Sequence, residues 1–528
     1  MPTHHSSRFD FHEIAVAVGV EFDHHNGASG RYFSVETYGS GLAFFDCDRD
    51  GDSDLYIVNS GPLVSGAPRA SNRLFRNDGG GHFTAGEEAS AEADTGYGLG
   101  VAVGDYDNDG LDDIYVTNYG SNALYRNRGG WFENVTEASA TGDRGWGTSA
   151  AFSDVDLDGD LDLYVANYAR LDLIDFVPCD QNGVPVYCGP LQLQGAPAAF
   201  FRNRGDGTFV DETVQWGLNS DRGRQLGVVF GDYDLDGDPD IYIANDATAN
   251  FLYRNELIRF EEIGLFSATA FNPEGDPEAG MGVDAGDYDL DGDLDIVITN
   301  YQWESNRLYR NDGRLVFSDV TAVAGLQAKT LPYLGFGVNL ADFDNDRSLD
   351  MYIANGHVDP QVQDYDRGAS YAQHSLLFAN TGEGAFIDHS AVGGPGLKQH
   401  MVARGTATAD YDDDGDLDIC TLANGDRAYL YRNDSTVGSW LQCQLRGTQS
   451  NRSGIGARLM LWSGGKVQYA EVRSGTSYLS QSDLRVHFGL GKAHQADSLL
   501  IYWPSGVRQV LTAVTANQNL EIIEPDRP

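Results

Sequence analysis

Residues 105–119 read DYDNDGLDDIYVTNY, an aspartate-rich nonapeptide that runs without a break into β-branched and aromatic residues. The same nonapeptide, with Asp at positions one, three, five and nine, recurs as DCDRDGDSD (46–54), DVDLDGDLD (154–162), DYDLDGDPD (232–240), DYDLDGDLD (287–295), DFDNDRSLD (342–350) and DYDDDGDLD (410–418). Seven copies hold 28 aspartates in one register. A solvated acidic run has no reason to keep that register, so the pattern is read as a repeated ligand loop.

Carboxylates at alternate positions of a tight loop turn their oxygens toward one centre. A hard cation that takes six to eight oxygens suits them, calcium ahead of the stricter octahedral magnesium. The candidate ligands are Asp46, Asp48, Asp50, Asp52 and Asp54; Asp105, Asp107, Asp109, Leu111 and Asp113; Asp154, Asp156, Asp158, Asp160 and Asp162; and Asp232, Asp234, Asp236, Asp238 and Asp240. The remaining loops add Asp287, Asp289, Asp291, Asp293 and Asp295; Asp342, Asp344, Asp346, Ser348 and Asp350; and Asp410, Asp412, Asp414, Asp416 and Asp418. Position seven of each acts through its backbone carbonyl. An EF-hand needs a glutamate at position twelve and flanking helices, whereas strand formers such as Ile57, Val116 and Val165 stand there. Up to seven Ca2+ ions are expected. The 342–350 loop is expected to be weakest, because Arg347 replaces the turn glycine and brings a positive charge.

Each loop lies between a small-residue apolar strand (GLGVAVG, QLGVVFG, GFGVNLA) and an LYIVN-type strand, followed by SNRLYRN-type and GHFTAG-type runs. Four short strands in each of seven units describe an all-β chain built on a seven-bladed β-propeller. The insertions fall at 169–197 and 356–374. The seventh unit stops at AYLYRND (428–434) without a fourth strand, and residues 8–20, RFDFHEIAVAVGV, supply it. The propeller is therefore expected over 1–435. A small antiparallel β-domain follows over 436–528, carried by SWLQCQL, ARLMLWS, VQYAEVR, LRVHFGL, SLLIYW and NLEII.

The chain's 79 acidic and 35 basic residues, for a net charge of −44, make nucleic acid an unsuitable partner. No run approaches the ~18 apolar residues of a membrane span. The first 22 residues lack the pattern of an export signal, which reads as cytoplasmic as the sequence stands, or as secreted if a leader has been removed. Cys179 and Cys188 bracket PCDQNGVPVYCGP and are left open between a disulfide and two buried thiols.

Strand direction gathers a second set of residues on the face away from the loops: Asn118 and Tyr119, Asn167 and Tyr168, Asn245 and Asp246, Asn300, Tyr301 and Trp303, and Asn355 with His357. Tyr97, Trp146, Met281, Phe336 and Arg404 begin the inner strands there, and His24, His25, Tyr32 and Glu36 join them from the N-terminal loop. His357 and Asp359 in GHVDP are a candidate acid/base pair. Strand-end asparagines and the recurring LYRN tyrosines equally serve turns and blade packing. No nucleophile elbow, P-loop, dinucleotide fingerprint or zinc motif occurs.

The DxDxDGxxD units flanked by GVAVGD and LYRN resemble the FG-GAP/VCBS-type propeller repeats also seen in integrin α-subunits. SNRSGIGARLMLWSGGKVQYAEVRSGTSYLSQSDLRVHFGLG, with IYWPSGVRQV and ANQNLEIIE, resembles an ASPIC/UnbV domain. Together they are similar to the cartilage acidic protein family and its bacterial relatives. That resemblance implies a calcium-binding propeller that engages a protein, glycan or small-molecule partner on the face opposite the metal loops. From the bacterial members it also implies an alternative, a cofactor-independent enzyme of cyclase or isomerase type in a natural-product pathway, with calcium structural.

Overall fold

The strand Tyr97–Gly104 enters the 105–113 loop and returns as Asp113–Tyr119, pairing Gly104 with Asp113 and Tyr97 with Tyr119. This hairpin, with Ala123–Asn127 and Phe132–Asn134 added outside it, makes one four-stranded antiparallel sheet. The computed structural model describes residues 8–63, 70–86, 94, 96–174, 176–181, 183–435 and 438–527. Seven such sheets occur among them, one for each nonapeptide. Each innermost strand contacts the innermost strand of the next sheet, and Ala403–Ala409 of the seventh contacts Leu42–Phe45 of the first.

Strand ends tie the sheets together a second time. The asparagine that closes each third strand donates through Nδ2 to the backbone carbonyl at position two of the preceding sheet's loop. Examples are Asn127 to Cys47 at 2.7 Å and Asn203 to Tyr106, Asn255 to Val155 and Asn311 to Tyr233, each at 2.8 Å. Between sheets, side chains from facing strands form separate apolar clusters, such as Val101, Val103, Ile114 and Val116 against Phe45, Tyr56 and Val58.

The outer strand of the seventh sheet comes from the N-terminus, Phe11–Glu13 pairing with Tyr431–Asn433. It is shorter than the 8–20 expected. After Ile14 the chain turns into a 3-10 helix, Ala15–Val18, because Ala15, Val18 and Val20 drop between the first and seventh sheets. Phe9 and Phe11 are buried against Phe343 and Tyr431.

Residues 439–523 form a four-stranded antiparallel sheet and a three-stranded one. Two details exceed the expectation: Ser439–Arg446 pairs in parallel with Asn519–Ile523, and Arg508–Thr515 is an additional strand. This unit sits on the loop side of the ring. Asp105 donates its N–H to Ser453, His487 Nε2 lies 2.7 Å from Asn345 Oδ1, and Arg485 donates to the Asp410 carbonyl at 3.0 Å.

From that side residues 474–482 enter the middle of the ring. Gln481 bridges in parallel to Ala43, and Ser477 bridges to Val283. The Leu479 carbonyl accepts from Val101 N–H at 3.1 Å, and Tyr478 is fully buried. The innermost strands thus find their hydrogen-bond partners in a segment from the opposite end of the chain.

Candidate metal loops and the opposite pocket

In the 105–113 loop, Asp105 Oδ1 accepts from Asp109 N–H at 3.0 Å and Oδ2 from Gly110 N–H at 2.6 Å. Asp109 Oδ1 accepts from Leu111 N–H at 3.0 Å, and Asp113 takes Tyr106 N–H and Asn127 N–H at 3.2 and 2.7 Å. The third-position aspartate is treated differently. Its Oδ1 is buried with no hydrogen-bond partner in all seven loops, at Asp48, Asp107, Asp156, Asp234, Asp289, Asp344 and Asp412. A repeatedly orphaned carboxylate oxygen is costly unless something outside the chain occupies it. One oxygen from each of Asp105, Asp107 and Asp113 lies within 4.8 Å of the others, and in the first, third and fourth loops the aspartates of positions one, three and five gather as closely. Burial pushes the Asp105 and Asp232 carboxyls up to about 8. All-oxygen donors with one member unspent fit a hard divalent cation.

The sixth loop keeps this geometry despite its arginine. Arg347 adopts φ 83°, in the left-handed region, and its N–H still reaches Asp342 Oδ2 at 2.6 Å. Its guanidinium turns away from the carboxylates, with Nη1 3.4 Å from the Ser463 carbonyl and Nε 3.4 Å from the Asp346 carbonyl. The cation beside the loop is a different residue. Arg8 pairs with both Asp344 and Asp346. In other sheets an LYRN arginine approaches the loop, as Arg76 does Asp48 at 2.7 Å and Arg126 does Asp107 at 2.6 Å. The sixth sheet has Ala379 there, and Arg8 stands in.

On the opposite face a pocket of about 530 Å3 opens among the second-strand ends, the 179–192 loop and the 356–374 insertion. Asp246, Tyr301, Asp359, Glu304, Tyr38, Met281, Phe336 and Tyr365 line it. Tyr38 and Phe336 are backed by the tip of the inserted segment: Tyr478 donates to the Tyr38 carbonyl at 3.1 Å and stacks edge-on to Phe336 at 4.9 Å. Asp246 is buried. Its Oδ2 accepts from Tyr168 at 2.6 Å and Tyr38 at 3.3 Å, while Oδ1 has no partner. Burial pushes its carboxyl up to about 6 and that of Glu304 up to about 7. A Cys179–Cys188 disulfide, now formed, closes the wall loop. Glu36 holds that loop by accepting from Tyr187 at 3.2 Å.

Residues 46–116, 105–165, 187–243, 232–298 and 287–353 match the FG-GAP-like repeat family, and residues 447–528 match the ASPIC and UnbV family. The chain belongs to the FG-GAP-repeat, ASPIC/UnbV family. It is 26% identical to human cartilage acidic protein 1, over 92% of this chain and 72% of that one. The mouse protein of the same name is 27% identical over 92% of this chain and 74% of its own. Among solved structures, an Agrocybe aegerita lectin that recognises non-reducing terminal N-acetylglucosamine is 16% identical. It aligns over 66% of this chain and 79% of its own, with a TM-score of 0.39.

In this FG-GAP protein the residues read from sequence divide into three groups. Tyr97, Trp146, Tyr168, Met281 and Phe336 share one apolar cluster, with Tyr119 and Tyr301 packed against it. Asp246, Tyr301 and Asp359 line the pocket itself, as do Met281 and Phe336 of that cluster. The others serve the frame. His24 is buried, its Nε2 3.1 Å from Ser60 Oγ and its Nδ1 accepting from Gly425 N–H; burial lowers its pKa to about 3. His25 is exposed, and Tyr32 meets the Tyr187 ring edge-on. Trp303 is half-exposed, with its indole N–H on Asp366. Arg404 is buried behind Phe336 and gives its N–H groups to the Thr37, Gly356, Ala403 and His357 carbonyls.

His357 and Asp359 are joined through the backbone. Asp359 N–H donates to His357 Nδ1 at 2.9 Å, His357 Nε2 lies 3.2 Å from the Tyr301 hydroxyl, and the Asp359 carboxylate accepts from Tyr365 at 2.7 Å. No imidazole–carboxylate bond forms, and burial lowers His357 to about 4. Sequence reading passed over Tyr38, Glu304 and Tyr365. Tyr38 stands in VETYGSG beside Glu36, and Tyr365 lies inside an insertion already marked, so position alone pointed toward both.

Proposed function

We propose that this chain is a calcium-stiffened propeller that holds a ligand of small-molecule size, or the tip of a glycan or protein partner, in the pocket opposite its metal loops. The pocket carries the reading: it combines an apolar, aromatic wall with a few polar residues, one of them Asp246, whose carboxylate has a buried oxygen without a partner. Calcium supports it from the other side. Positions one, three, five and nine of each loop, with the carbonyl of position seven, would hold the ion, and the ion would relieve repulsion among carboxylates that the fold has already brought together. Ordered inner strands then keep the far face in shape.

The test is thermal unfolding of the full chain against free calcium. A melting temperature that climbs with the logarithm of calcium concentration supports the reading. A transition unmoved between chelator and millimolar calcium refutes the metal half.

One observation favours a second reading. A buried carboxyl near 6, hydrogen-bonded by Tyr168 and Tyr38 in a cavity, is placed as a general acid would be. On that reading the chain is a cofactor-independent enzyme of cyclase or isomerase type, with calcium structural. Catalytic turnover lost in Asp246→Asn with ligand affinity kept would separate it from simple binding.

A further inference from the structure

The chemistry of the pocket wall narrows the ligand. Asp246, Glu304 and Asp359 bring carboxylates to it, and Tyr38, Tyr301 and Tyr365 bring rings; no lysine, arginine or histidine lines it among the described residues. Tyr301 stands within electrostatic reach of Asp246, Glu304 and Asp359 together. An anion placed here would meet three carboxylates, and the one arginine charge that reaches Asp246, Arg224, is held on backbone carbonyls behind the wall. A purely apolar molecule would leave Asp246 Oδ1 buried and unsatisfied.

We propose that the pocket takes an organic cation, an ammonium group on an apolar body, with the nitrogen seated at Asp246 and Glu304 among the tyrosine rings. This rests on the far-face pocket being the binding site. An ammonium N–H satisfies the orphaned Asp246 oxygen as a charge-assisted hydrogen bond, and the ring faces add cation–π attraction. Two arginines stand behind the wall, and both are spent on backbone. Arg224 donates to the Leu193 and Asp246 carbonyls at 2.9 and 3.5 Å. Arg404 lies against the Phe336 ring with its donors on four carbonyls, which is why Phe336 is left out of the cation site. The apolar body has Met281, Val358 and the disulfide wall to lie against.

The test is calorimetric titration of the calcium-loaded full chain with three near-isosteric probes: 2-phenylethylammonium, 2-phenylethanol and phenylacetate. The ammonium is expected to bind about tenfold tighter than the alcohol, and phenylacetate weakest, as desolvated charge pairing and ring contact imply. Asp246→Asn should reduce the ammonium to the alcohol's level. Glu304→Gln, which keeps an acceptor for Ala279 N–H, should do so in part, and it serves where the first variant fails to fold. Equal binding of ammonium and alcohol, or preference for phenylacetate, overturns the cation inference and leaves the pocket reading intact. Binding of none of the three overturns both, and a preference that survives both variants overturns the seat at Asp246 and Glu304.

Discussion

Asn77 donates its side-chain N–H to the backbone carbonyl of Tyr411 at 2.6 Å, and so joins the first sheet to the last. The same amide also donates to the Ser53 carbonyl at 3.2 Å, and its oxygen accepts from Gly79 N–H at 3.2 Å. One residue therefore fastens its own loop and closes the ring. Asn380 to Tyr288 and Asn433 to Phe343, both at 2.8 Å, complete the circuit with the four bonds already described.

Asn77→Ala leaves two buried carbonyls without that donor, which costs about 2–4 kcal/mol on the scale of unsatisfied buried groups. Asn203→Ala, in the third sheet, should cost nearly the same, because its bonds to Tyr106 and Leu161 are equivalent. Denaturant unfolding of both variants checks this. A closing bond much weaker than the internal one would mean that the ring is held elsewhere.

The N-terminal strand makes a related prediction. Phe11 is fully buried between the sixth and seventh sheets, and Glu13 pairs with Arg427 at 3.0 Å. Phe11→Ala should cost about 3–5 kcal/mol, the usual range for a buried phenylalanine. The part-exposed Glu13–Arg427 pair is worth at most about 1 kcal/mol. Removal of residues 1–20 should lower the melting temperature of the whole propeller, and an unchanged transition would show that the seventh sheet stands without it.

These contacts show what was legible in the sequence. The nonapeptide register gave the number of sheets, since a loop with four fixed aspartates cannot drift. The missing fourth strand at 428–434 pointed to residues 8–20. Two things were not legible. The role of the LYRN asparagine was one, because a hydrogen bond to the neighbouring sheet leaves no mark on local periodicity. The 474–482 segment, SGTSYLSQS, is polar and rich in Ser, and it reads as surface loop. Its serines instead accept from or donate to the inner strands, as Ser477 Oγ does with Val338 N–H at 3.0 Å.

Arg8 leads to a prediction about the sixth loop. Its guanidinium lies against Asp344 and Asp346, where a cation would otherwise draw the same oxygens. Arg8→Ala should strengthen calcium binding at 342–350, read as one more ion retained per chain in native mass spectrometry at limiting calcium. Ala379→Arg in that background should reverse the gain, since the LYRN arginine returns. Unchanged stoichiometry in Arg8→Ala would show that Arg8 does not compete with the ion for Asp344 and Asp346.

Asp246 gives the pH dependence. Its carboxyl is raised from 3.8 to about 6 by burial, opposed by hydrogen bonds from Tyr168 and Tyr38 and by the Arg224 charge. The folded protein therefore holds this proton more tightly than the unfolded chain. The group favours folding at low pH, and it carries its full cost, about 3 kcal/mol, once pH exceeds 6. Asp246→Asn should accordingly stabilise the protein at pH 8 and do little at pH 4, as chemical denaturation at the two values would show. A bound ammonium favours the ionised carboxylates, so its affinity should rise between pH 5 and 8 as Asp246, then Glu304 near 7, lose their protons.

Gly41 tests the inserted segment. A Cβ at this position would stand 1.7 Å from the Leu479 carbonyl oxygen, and that oxygen is held by Val101 N–H, so neither backbone can give way cheaply. Gly41→Ala is therefore expected to cost about 3 kcal/mol, the upper part of the range for overpacked sites. Gly142→Ala, where the nearest atom is Thr136 Cγ2 at 3.8 Å, should stay within about 0.5 kcal/mol and serves as control. Because Tyr478 props Tyr38 and Phe336, displacing Leu479 should also weaken ligand binding on the far face, some way from the substitution. A Gly41→Ala protein with unchanged stability and unchanged affinity would show that the segment fills the ring without supporting the pocket.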